Sequence, residues 1–439
     1  MATEAQSSSL DALCYNLSTL QQLARQGSWR ALIEVISQAR KLSLPDLPHE
    51  QLVYHAYLVL SHMKLRSFGD ASLEMDALSD LGSPQYRYEH YPELYPHRTG
   101  SMVPFVLRWL HAELPYYLNE PAVTTERLYT LYDFCRRQKD QLLASASNAY
   151  TDNNAEGQLD DFQSAFTHQA LDSTAPNSSD DSGKACSMSS ANDVQPAQAE
   201  SDTHFEGFVS GMSAALHDLE GSTTNVVGMS EKDANLQKRW QNRQEFITNC
   251  IISHHLNQKD FLLVLSWFKE LSKLHPSDPW LLSKLGYVQL QMGDLTGAGY
   301  TFSQARNIIS KVETENSTQL SALKGLDCRN RGLQQMVIKQ YNEAIKEFDS
   351  ALSINPVDVI AANNKALCCM YNRDLIGSTK VLESILDKAP LVALNESLVL
   401  NLCSMYELAF VHNVQTKKNL SDWIQQIAPG DFDFSCTRL

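Results

Sequence analysis

The feature of this sequence that most restricts its fold is a residue spacing that recurs in the second half of the chain. A small residue is followed 12 positions later by another small residue, and 4 positions after that by a large apolar residue. A small residue then follows after 3 positions and a proline after 5, with some substitutions. Self-similarity of this kind indicates a solenoid, in which one supersecondary unit is stacked many times. The most complete copy is Gly332, Ala344, Phe348, Ala351 and Pro356, and partial copies are Val264, Phe268, Leu271 and Pro276; Gly286, Ala298, Phe302 and Ala305; and Ala366, Ser378, Leu382, Ile385 and Pro390.

The repeat period is 34 residues, which is the separation of Pro356 and Pro390. Pro276 and Pro356 are 80 residues apart, or two periods plus 12 additional residues. We expect those additional residues to lie near the stretch ETENSTQLSALK, residues 313–324.

Each copy of the spacing predicts a pair of antiparallel helices. The small residue on the first helix allows the second helix to approach closely, and Ala344 and Phe348 lie one turn apart on the second helix, where they fill the seam. Proline lacks a backbone donor and is tolerated only outside the helix interior, so it separates one pair from the next. A single pair cannot bury its apolar stripe, so consecutive pairs must stack.

These spacings resemble the tetratricopeptide repeat, and four such units cover about residues 245–392. The sequence LNESLVLNLCSMYELAF followed by LSDWIQQI predicts a terminal hairpin that caps the stack. In the first half the spacing is weaker, but GSWRALIEVISQA, RSFGDASLEMDAL and NEPAVTTERLYTL each have the pattern of a second helix. We interpret them as degenerate repeats, and an unrelated helical bundle is the alternative.

Composition divides the chain into three parts. Residues 150–233 carry fifteen acidic and two basic side chains, and this region has too few aliphatic residues to offset its ordering entropy. The predicted fold is therefore all-α, a solenoid of tetratricopeptide-repeat helical hairpins in two blocks separated by a disordered acidic linker. The predicted parts are an N-terminal helical block with degenerate repeats at 10–144, the flexible linker at 145–232, and a C-terminal repeat domain with its capping hairpin at 233–439.

Composition also disfavours several functions. The net charge of −15 comes mostly from the linker, and no arm or helix shows the clustered Lys and Arg that neutralise phosphates. The first twenty residues lack the basic start and apolar core of a signal peptide, and no apolar stretch approaches the ~20 residues needed to cross a bilayer. Nine cysteines without a Cys-x-x-Cys pair predict buried thiols in a reducing compartment.

Motifs for catalysis are missing from the sequence. The stretch GSTTNVVG lacks the Lys-Ser or Lys-Thr of a Walker A loop, and neither Gly-x-Ser-x-Gly nor His-Glu-x-x-His occurs. His254 and His255 adjoin on a predicted helix and point to different faces, which is poor geometry for one metal ion. We expect no enzymatic activity, no metal and no cofactor, although a nucleophile assembled from distant residues stays an open alternative.

The first helix of each hairpin lines the concave face in tetratricopeptide proteins, and the same register gives this chain a mostly apolar groove. Arg329 alone is not a two-carboxylate clamp for peptide C-termini. Such a groove predicts a bound helix, which comes either from a partner or from this chain itself. The groove set is Trp280, Ser283, Tyr287, Leu290, Leu326, Arg329, Leu333, Met336, Ile360, Asn363, Leu367 and Met370, of which Trp280, Tyr287, Arg329, Leu333, Met336 and Asn363 are candidate partner-binding residues.

A second candidate surface is the aromatic stretch SPQYRYEHYPELYPHRTGSMVPF, which is too long to be a repeat connector. Physical reasoning leaves two readings, a packed Ω-type loop or an exposed contact surface. Its candidate partner-binding residues are Tyr86, Tyr88, Tyr91, Tyr95, Met102 and Phe105.

The strings YPELYPHRTGSMVPF, LHAELP and LNLCSMYEL resemble the family of transport (trafficking) protein particle complex subunit 12, also called tetratricopeptide repeat protein 15. The resemblance covers residues 15–140 and 235–435. Family members carry a long acidic N-terminal extension without a counterpart in this sequence, so functions of that extension are not carried over.

The resemblance implies a non-catalytic scaffold subunit of a vesicle tether that acts between endoplasmic reticulum and Golgi and in autophagy. It implies a cytoplasmic location, at the periphery of those membranes. The implied partners are other subunits of the complex and, indirectly, a Rab-type GTPase, without nucleic acid and without membrane insertion. The alternative function is a tetratricopeptide co-chaperone or peptide-binding adaptor.

Overall fold

Helical hairpins account for the regular structure throughout the part of the chain that is described. The computed structural model describes residues 16–78, 80–152, 229–312 and 317–438, with backbone alone for 144–152 and 229–235. Within these ranges no strand is present, and one isolated antiparallel β-bridge joins Arg87 to Ser101. The predicted all-α hairpin solenoid is confirmed, whereas the linker prediction falls mostly on residues 153–228, outside the described residues.

Three hairpins precede residues 153–228. Each of the three stretches with the pattern of a second helix follows a first helix and a short turn, as a degenerate repeat requires. The helices are α1 (Leu17–Arg25) and α2 (Trp29–Lys41), α3 (Pro48–Lys64) and α4 (Phe68–Asp76), and α5 (Phe105–Tyr117) and α6 (Pro121–Asp152).

Four further hairpins, a short helix and the predicted capping hairpin follow residue 228. The longest of the first helices after residue 276 is α11, with 21 residues against 13 in α9 and in α13. Eight of the additional residues of the third repeat therefore lengthen α11 at its N-terminus. The helices are α7 (Met229–Asn257), α8 (Phe261–Leu274), α9 (Pro279–Gln291), α10 (Leu295–Ile309), α11 (Ser317–Val337), α12 (Tyr341–Ile354), α13 (Val359–Tyr371), α14 (Leu375–Lys388), α15 (Pro390–Ala393), α16 (Glu396–Ala409) and α17 (Val414–Ile427).

The same tight turn closes every hairpin from α1–α2 to α13–α14. One residue takes the left-handed conformation, and the amide of the next residue donates to the carbonyl five positions earlier, as in a Schellman motif. This shared geometry shows that the degenerate hairpins of the first half are built like the regular ones. The left-handed residues are Gly27, Arg66, Asn119, Lys259, Gly293, Lys339 and Arg373.

Small residues on the first helices are required by the close approach of an aromatic ring. A Cβ placed on Gly332 would lie 2.5 Å from the Phe348 ring, and one on Gly286 would lie 2.4 Å from the Phe302 ring. Both rings are buried. The recurring Gly-to-Phe spacing in the sequence therefore arises from a contact between the two helices of one hairpin.

Replacing Gly332 by alanine is expected to destabilise the protein, because the new methyl group overlaps Phe348 and overpacking typically costs about 1–3 kcal/mol. The matched control is Gly325→Ala in the same helix, where a Cβ would meet no atom within 4 Å. Alanine there should stabilise by about 0.5–1 kcal/mol through helix propensity. Chemical denaturation of both variants measures the difference, and equal effects would contradict this account of the seam.

The helices on either side of residues 153–228 pack against each other. Leu128 and Cys135 of α6 share one buried core with Ile247 and Ile251 of α7, and this core continues through α1 to α5. The predicted linker bounds of 145 and 232 fall within helical residues, since α6 runs to Asp152 and α7 begins at Met229. The division into domains stays a prediction, but the two helical blocks share apolar side chains.

A buried carboxyl lies at this junction. Glu113 of α5 is 2% exposed, and burial raises its pKa to about 7, an increase that hydrogen bonds with Trp109 and Cys250 only partly offset. A lone acidic residue in the apolar stretch FVLRWLHAELP is the sequence signal for it. The carboxyl is therefore poised between its neutral and charged forms near neutral pH.

This raised pKa predicts a specific pH dependence of stability. Folded Glu113 holds its proton more tightly than the unfolded chain does, so its contribution is fully present below pH ~4.5 and is lost as pH rises through 7. Between pH 5 and 8 the stability of the natural protein relative to Glu113→Gln should fall by about 2 kcal/mol. Urea unfolding at both pH values measures this difference, and a difference that does not change with pH would contradict the assignment.

Candidate partner-binding surfaces

The aromatic loop between α4 and α5 is closed at its base by backbone hydrogen bonds. The amide of Met102 donates to the carbonyl of Tyr86 at 2.8 Å, and the amide of Tyr88 donates to the carbonyl of Gly100 at 3.0 Å. The carboxylate of Glu89 accepts hydrogen bonds from the Arg87 guanidinium and from the Gly100 amide, each at 2.9 Å, and these two bonds, the first above all, lower the Glu89 pKa to about 2. Of the two readings, the contacts favour a packed Ω-type loop.

Most of the predicted contact residues in this loop face the protein interior. Tyr95 is 6% exposed, and its hydroxyl is hydrogen-bonded to His49 at 2.7 Å. Met102 and Phe105 belong to the main core, and Tyr86 donates its hydroxyl proton to the Leu78 carbonyl at 2.6 Å.

The outer part of the loop remains accessible. Tyr88 and Tyr91 are half-buried against the core, whereas His90 and His97 are exposed. Leu94, at the centre of the stretch YPELYP, is 52% exposed. The part of the loop that remains a candidate partner-binding surface is therefore its tip, around Tyr91 and Leu94.

The predicted groove is partly used to hold consecutive hairpins together. The Ser283 hydroxyl of α9 donates to Asn330 of α11 at 2.7 Å. Further along the stack, Asn401 of α16 donates to Asn363 of α13 at 2.9 Å. These bonds link first helices of successive hairpins, so the polar groove residues bind the next hairpin.

Arg329 has a structural partner. Its guanidinium pairs with Asp358 at 3.0 Å, both side chains are buried, and the Trp280 ring lies 5.9 Å from the guanidinium carbon. Because its charge is neutralised by Asp358, Arg329 is not placed to clamp a peptide carboxylate. The candidate groove residues that retain exposed surface are Trp280, at 42%, and the half-buried Tyr287, Leu333, Met336 and Asn363.

Arg329→Ala is expected to lower the unfolding free energy by about 3–5 kcal/mol, because it leaves the Asp358 carboxylate buried without its cation. Lys365→Ala is the control, since Lys365 pairs with a half-exposed Asp349 and should change stability by no more than about 1 kcal/mol. Thermal and urea unfolding measure both effects. A folded Arg329→Ala protein of unchanged stability would show that the pair is not structural.

The two adjacent histidines are buried and hydrogen-bonded. His254 lies 2.7 Å from the Thr125 hydroxyl, and His255 lies 3.0 Å from the Tyr129 hydroxyl. Both bonds join α7 to α6, which is the structural role expected for a satisfied pair. No group of three or more His, Cys, Asp or Glu side chains in the described ranges has an arrangement that could hold a metal ion.

A cleft of about 380 Å³ opens between α4, α5 and α6. Its charged and titratable lining residues are Asp76, His111, Glu120 and Arg127. Burial, reinforced by the nearby Arg127 and Arg108 charges, lowers the His111 pKa to about 4, so this imidazole is neutral at pH 7. Arg127 donates to the His111 carbonyl at 2.8 Å, and this bond joins α6 to α5 at the cleft.

Sequence reasoning missed a polar contact between the two ends of the chain. Lys64 and Arg66, at the turn between α3 and α4, pair with Asp431, Glu396 and Asp433. The partners are 330 or more positions apart, so no local pattern could have indicated them.

An exposed apolar patch at the α16–α17 turn was also not predicted from the sequence. Leu408, Phe410, Val411 and Val414 are between 42% and 93% exposed. The run LAFVHNV at the end of the predicted capping hairpin was the available sequence signal.

Among the helices that the structure describes, none is both long and apolar enough to cross a membrane.

Comparison with known proteins confirms the family resemblance. Trafficking protein particle complex subunit 12 of Mus musculus is 25% identical over 432 residues, which cover 96% of this chain and 44% of the relative. The Homo sapiens protein of the same name is 25% identical over 456 residues, which cover 100% of this chain and 50% of the relative. The chain thus spans about half the length of the curated relatives it matches. No family model matches the sequence.

Solved structures show only distant similarity. The APC/C hetero-tetramer Cut9-Hcn1 is 12% identical, with a TM-score of 0.30, covering 91% of this chain and 57% of that chain. MamA from Desulfovibrio magneticus RS-1 is 17% identical, with a TM-score of 0.28, covering 42% of this chain and 96% of that chain. At these scores the similarity says nothing about function.

Proposed function

We propose that this chain is a non-catalytic scaffold subunit of a trafficking protein particle complex and holds other subunits of the vesicle tether together. The observation that carries the proposal is similarity to subunit 12 along 96–100% of this chain, including both helical blocks. The matched part of each relative therefore corresponds to the whole of this hairpin stack.

The geometry suits a scaffold. The hairpins are fixed to one another by buried apolar contacts and by polar bonds such as Arg329 to Asp358, so surfaces far apart in the sequence keep fixed relative positions. The exposed tip of the aromatic loop and the apolar α16–α17 turn then offer separate contact areas at different positions along the stack. A rigid body with several contact areas joins subunits without needing an active site.

We also propose the finer role implied by the family. The chain acts in traffic between endoplasmic reticulum and Golgi and in autophagy, at the cytoplasmic periphery of those membranes. It connects accessory subunits to a core that acts on a Rab-type GTPase, without touching nucleotide itself. The exposed groove residues around Trp280 stay in the proposal as a further contact for a helix from a partner.

The alternative of a co-chaperone that captures peptide C-termini is less well supported. That function needs several basic side chains free in the groove, whereas Arg329 is buried against Asp358. A titration with C-terminal peptides distinguishes the two functions, because a co-chaperone would bind them through the groove and a tether subunit would not.

The test is affinity purification of the tagged full chain from its native cells, with quantitative mass spectrometry of the recovered proteins. We expect other trafficking-particle subunits at near-stoichiometric levels. Recovery of chaperones alone, or of no protein at such levels, would contradict the proposal.

A pair of variants locates the contact. Leu94→Asp places a charge on the exposed tip of the aromatic loop and should reduce recovery of at least one subunit about tenfold, since burying an unpaired charge at an interface is strongly unfavourable. Leu262→Asp is the matched control, at a leucine that is 80% exposed on α8. Equal recovery with both variants would remove the loop tip from the proposed binding surface.

A further inference from the structure

The residues just before the C-terminus lie against the first half of the chain as an irregular segment. After α17 ends, Pro429, Gly430, Asp431, Phe432 and Asp433 form no helix, and a short 3₁₀ turn follows from Phe434. A Cβ on Gly430 would lie 3.4 Å from the Gly27 carbonyl, and one on Gly27 would lie 3.4 Å from Pro429. The backbones of the two segments are therefore close neighbours at the α1–α2 turn.

The first acidic residue of this segment enters a buried cationic site. The Lys64 ammonium is 2.7 Å from the Asp431 carboxylate, and the Lys64 and Asp431 side chains are 4% and 15% exposed. The same ammonium lies over the Trp29 ring at 5.6 Å. A buried lysine needs a partner charge, and this one receives it from the tail.

The second acidic residue is bound by Arg66. The guanidinium contacts Asp433 at 3.0 Å and Glu396 at 2.9 Å. Glu396 in turn accepts a hydrogen bond from the Asp433 amide at 3.0 Å. The tail is thus fixed through its backbone as well as through two carboxylates.

This contact has the character of a short peptide on a receptor. The bound sequence Pro-Gly-Asp-Phe-Asp-Phe is brief and irregular, and Phe434 remains 39% exposed. Phe432 packs against the apolar cluster of α16 and α17, whereas the charged contacts with the first hairpins are made by the two carboxylates. Arg66 is 36% exposed, so its pairs are open to water and to competing ions. The ion pairs that join this segment to the first hairpins can therefore exchange with those of another carboxylate-bearing segment, whereas the apolar seams within the hairpins cannot.

We propose that the α1–α2 turn with Trp29, Lys64 and Arg66 is a binding site for a short peptide that carries two carboxylates, and that the chain's own tail occupies it. A partner segment with two carboxylates at the same spacing would displace the tail and release the C-terminal cap from the first hairpins. This proposal does not depend on the assignment to a vesicle tether.

The probe is a fluorescein-labelled peptide with the sequence of residues 428–435, APGDFDFS, added to the full-length protein. The tail acts at the high effective concentration of a tethered ligand, so the natural protein should bind the peptide weakly. A variant with Asp431→Asn and Asp433→Asn weakens the tail and should bind the peptide at least tenfold more tightly. Adding Arg66→Gln or Lys64→Met to that variant should abolish binding.

Two controls separate binding from general destabilisation. Arg306→Gln removes a comparably exposed ion pair, with Asp327 at 2.9 Å, and should leave peptide affinity at the level of the natural protein. Should Lys64→Met not fold, the more exposed Arg66→Gln carries the test, with helicity checked by circular dichroism. A peptide whose two aspartates are replaced by asparagine should bind none of the proteins.

Hydrogen exchange gives an independent readout of the tail. Amides of residues 429–433 should exchange at least tenfold faster in the Asp431→Asn, Asp433→Asn variant and also in the natural protein with excess peptide. The proposal is overturned by peptide affinity that is the same with and without the intact tail, or by binding that survives Arg66→Gln. Unchanged exchange in the tail variant would overturn it as well.

Discussion

The structure depends on the close approach of the two helices of a hairpin, and in two hairpins an aromatic ring packs directly on the backbone of a glycine. Phe348 against Gly332 and Phe302 against Gly286 leave no room for a side chain between the helices. This contact sets the distance between the helices, which in turn determines where the apolar stripes of the hairpin point. Stacking of successive hairpins follows, because only the next hairpin can cover those stripes.

A second constraint is the uniform hairpin turn, and it explains why weakly similar sequences form the same unit. Most of the left-handed turn positions carry residues other than glycine, including Arg66, Lys339 and Arg373. For such residues the left-handed conformation costs roughly 1–2 kcal/mol of free energy each. The turn is nevertheless kept, since the amide-to-carbonyl bonds and the packing of the two helices outweigh the local strain.

Polar groups on the inner side of the stack serve the stack itself. Arg329 neutralises Asp358 of the following hairpin, and Ser283 bonds to Asn330. The groove therefore has fewer groups for specific recognition than its sequence register indicates. The proposed contact areas are therefore the exposed loop tip and turns. The ion pairs of the tail with Lys64 and Arg66 join the last hairpin to the first ones.

The sequence by itself determined the repeat, the hairpins, the capping pair and the family resemblance, because these depend on residues within about one period of 34 positions. Proline positions and the Gly-to-Phe spacing could be interpreted without knowing any distant contact. Only the tertiary structure decided that Tyr95 is internal, that Arg329 is paired, and that Lys64 meets Asp431. Those outcomes depend on which surfaces meet after stacking, and a contact 367 positions apart in the chain leaves no periodic trace in either partner's local sequence.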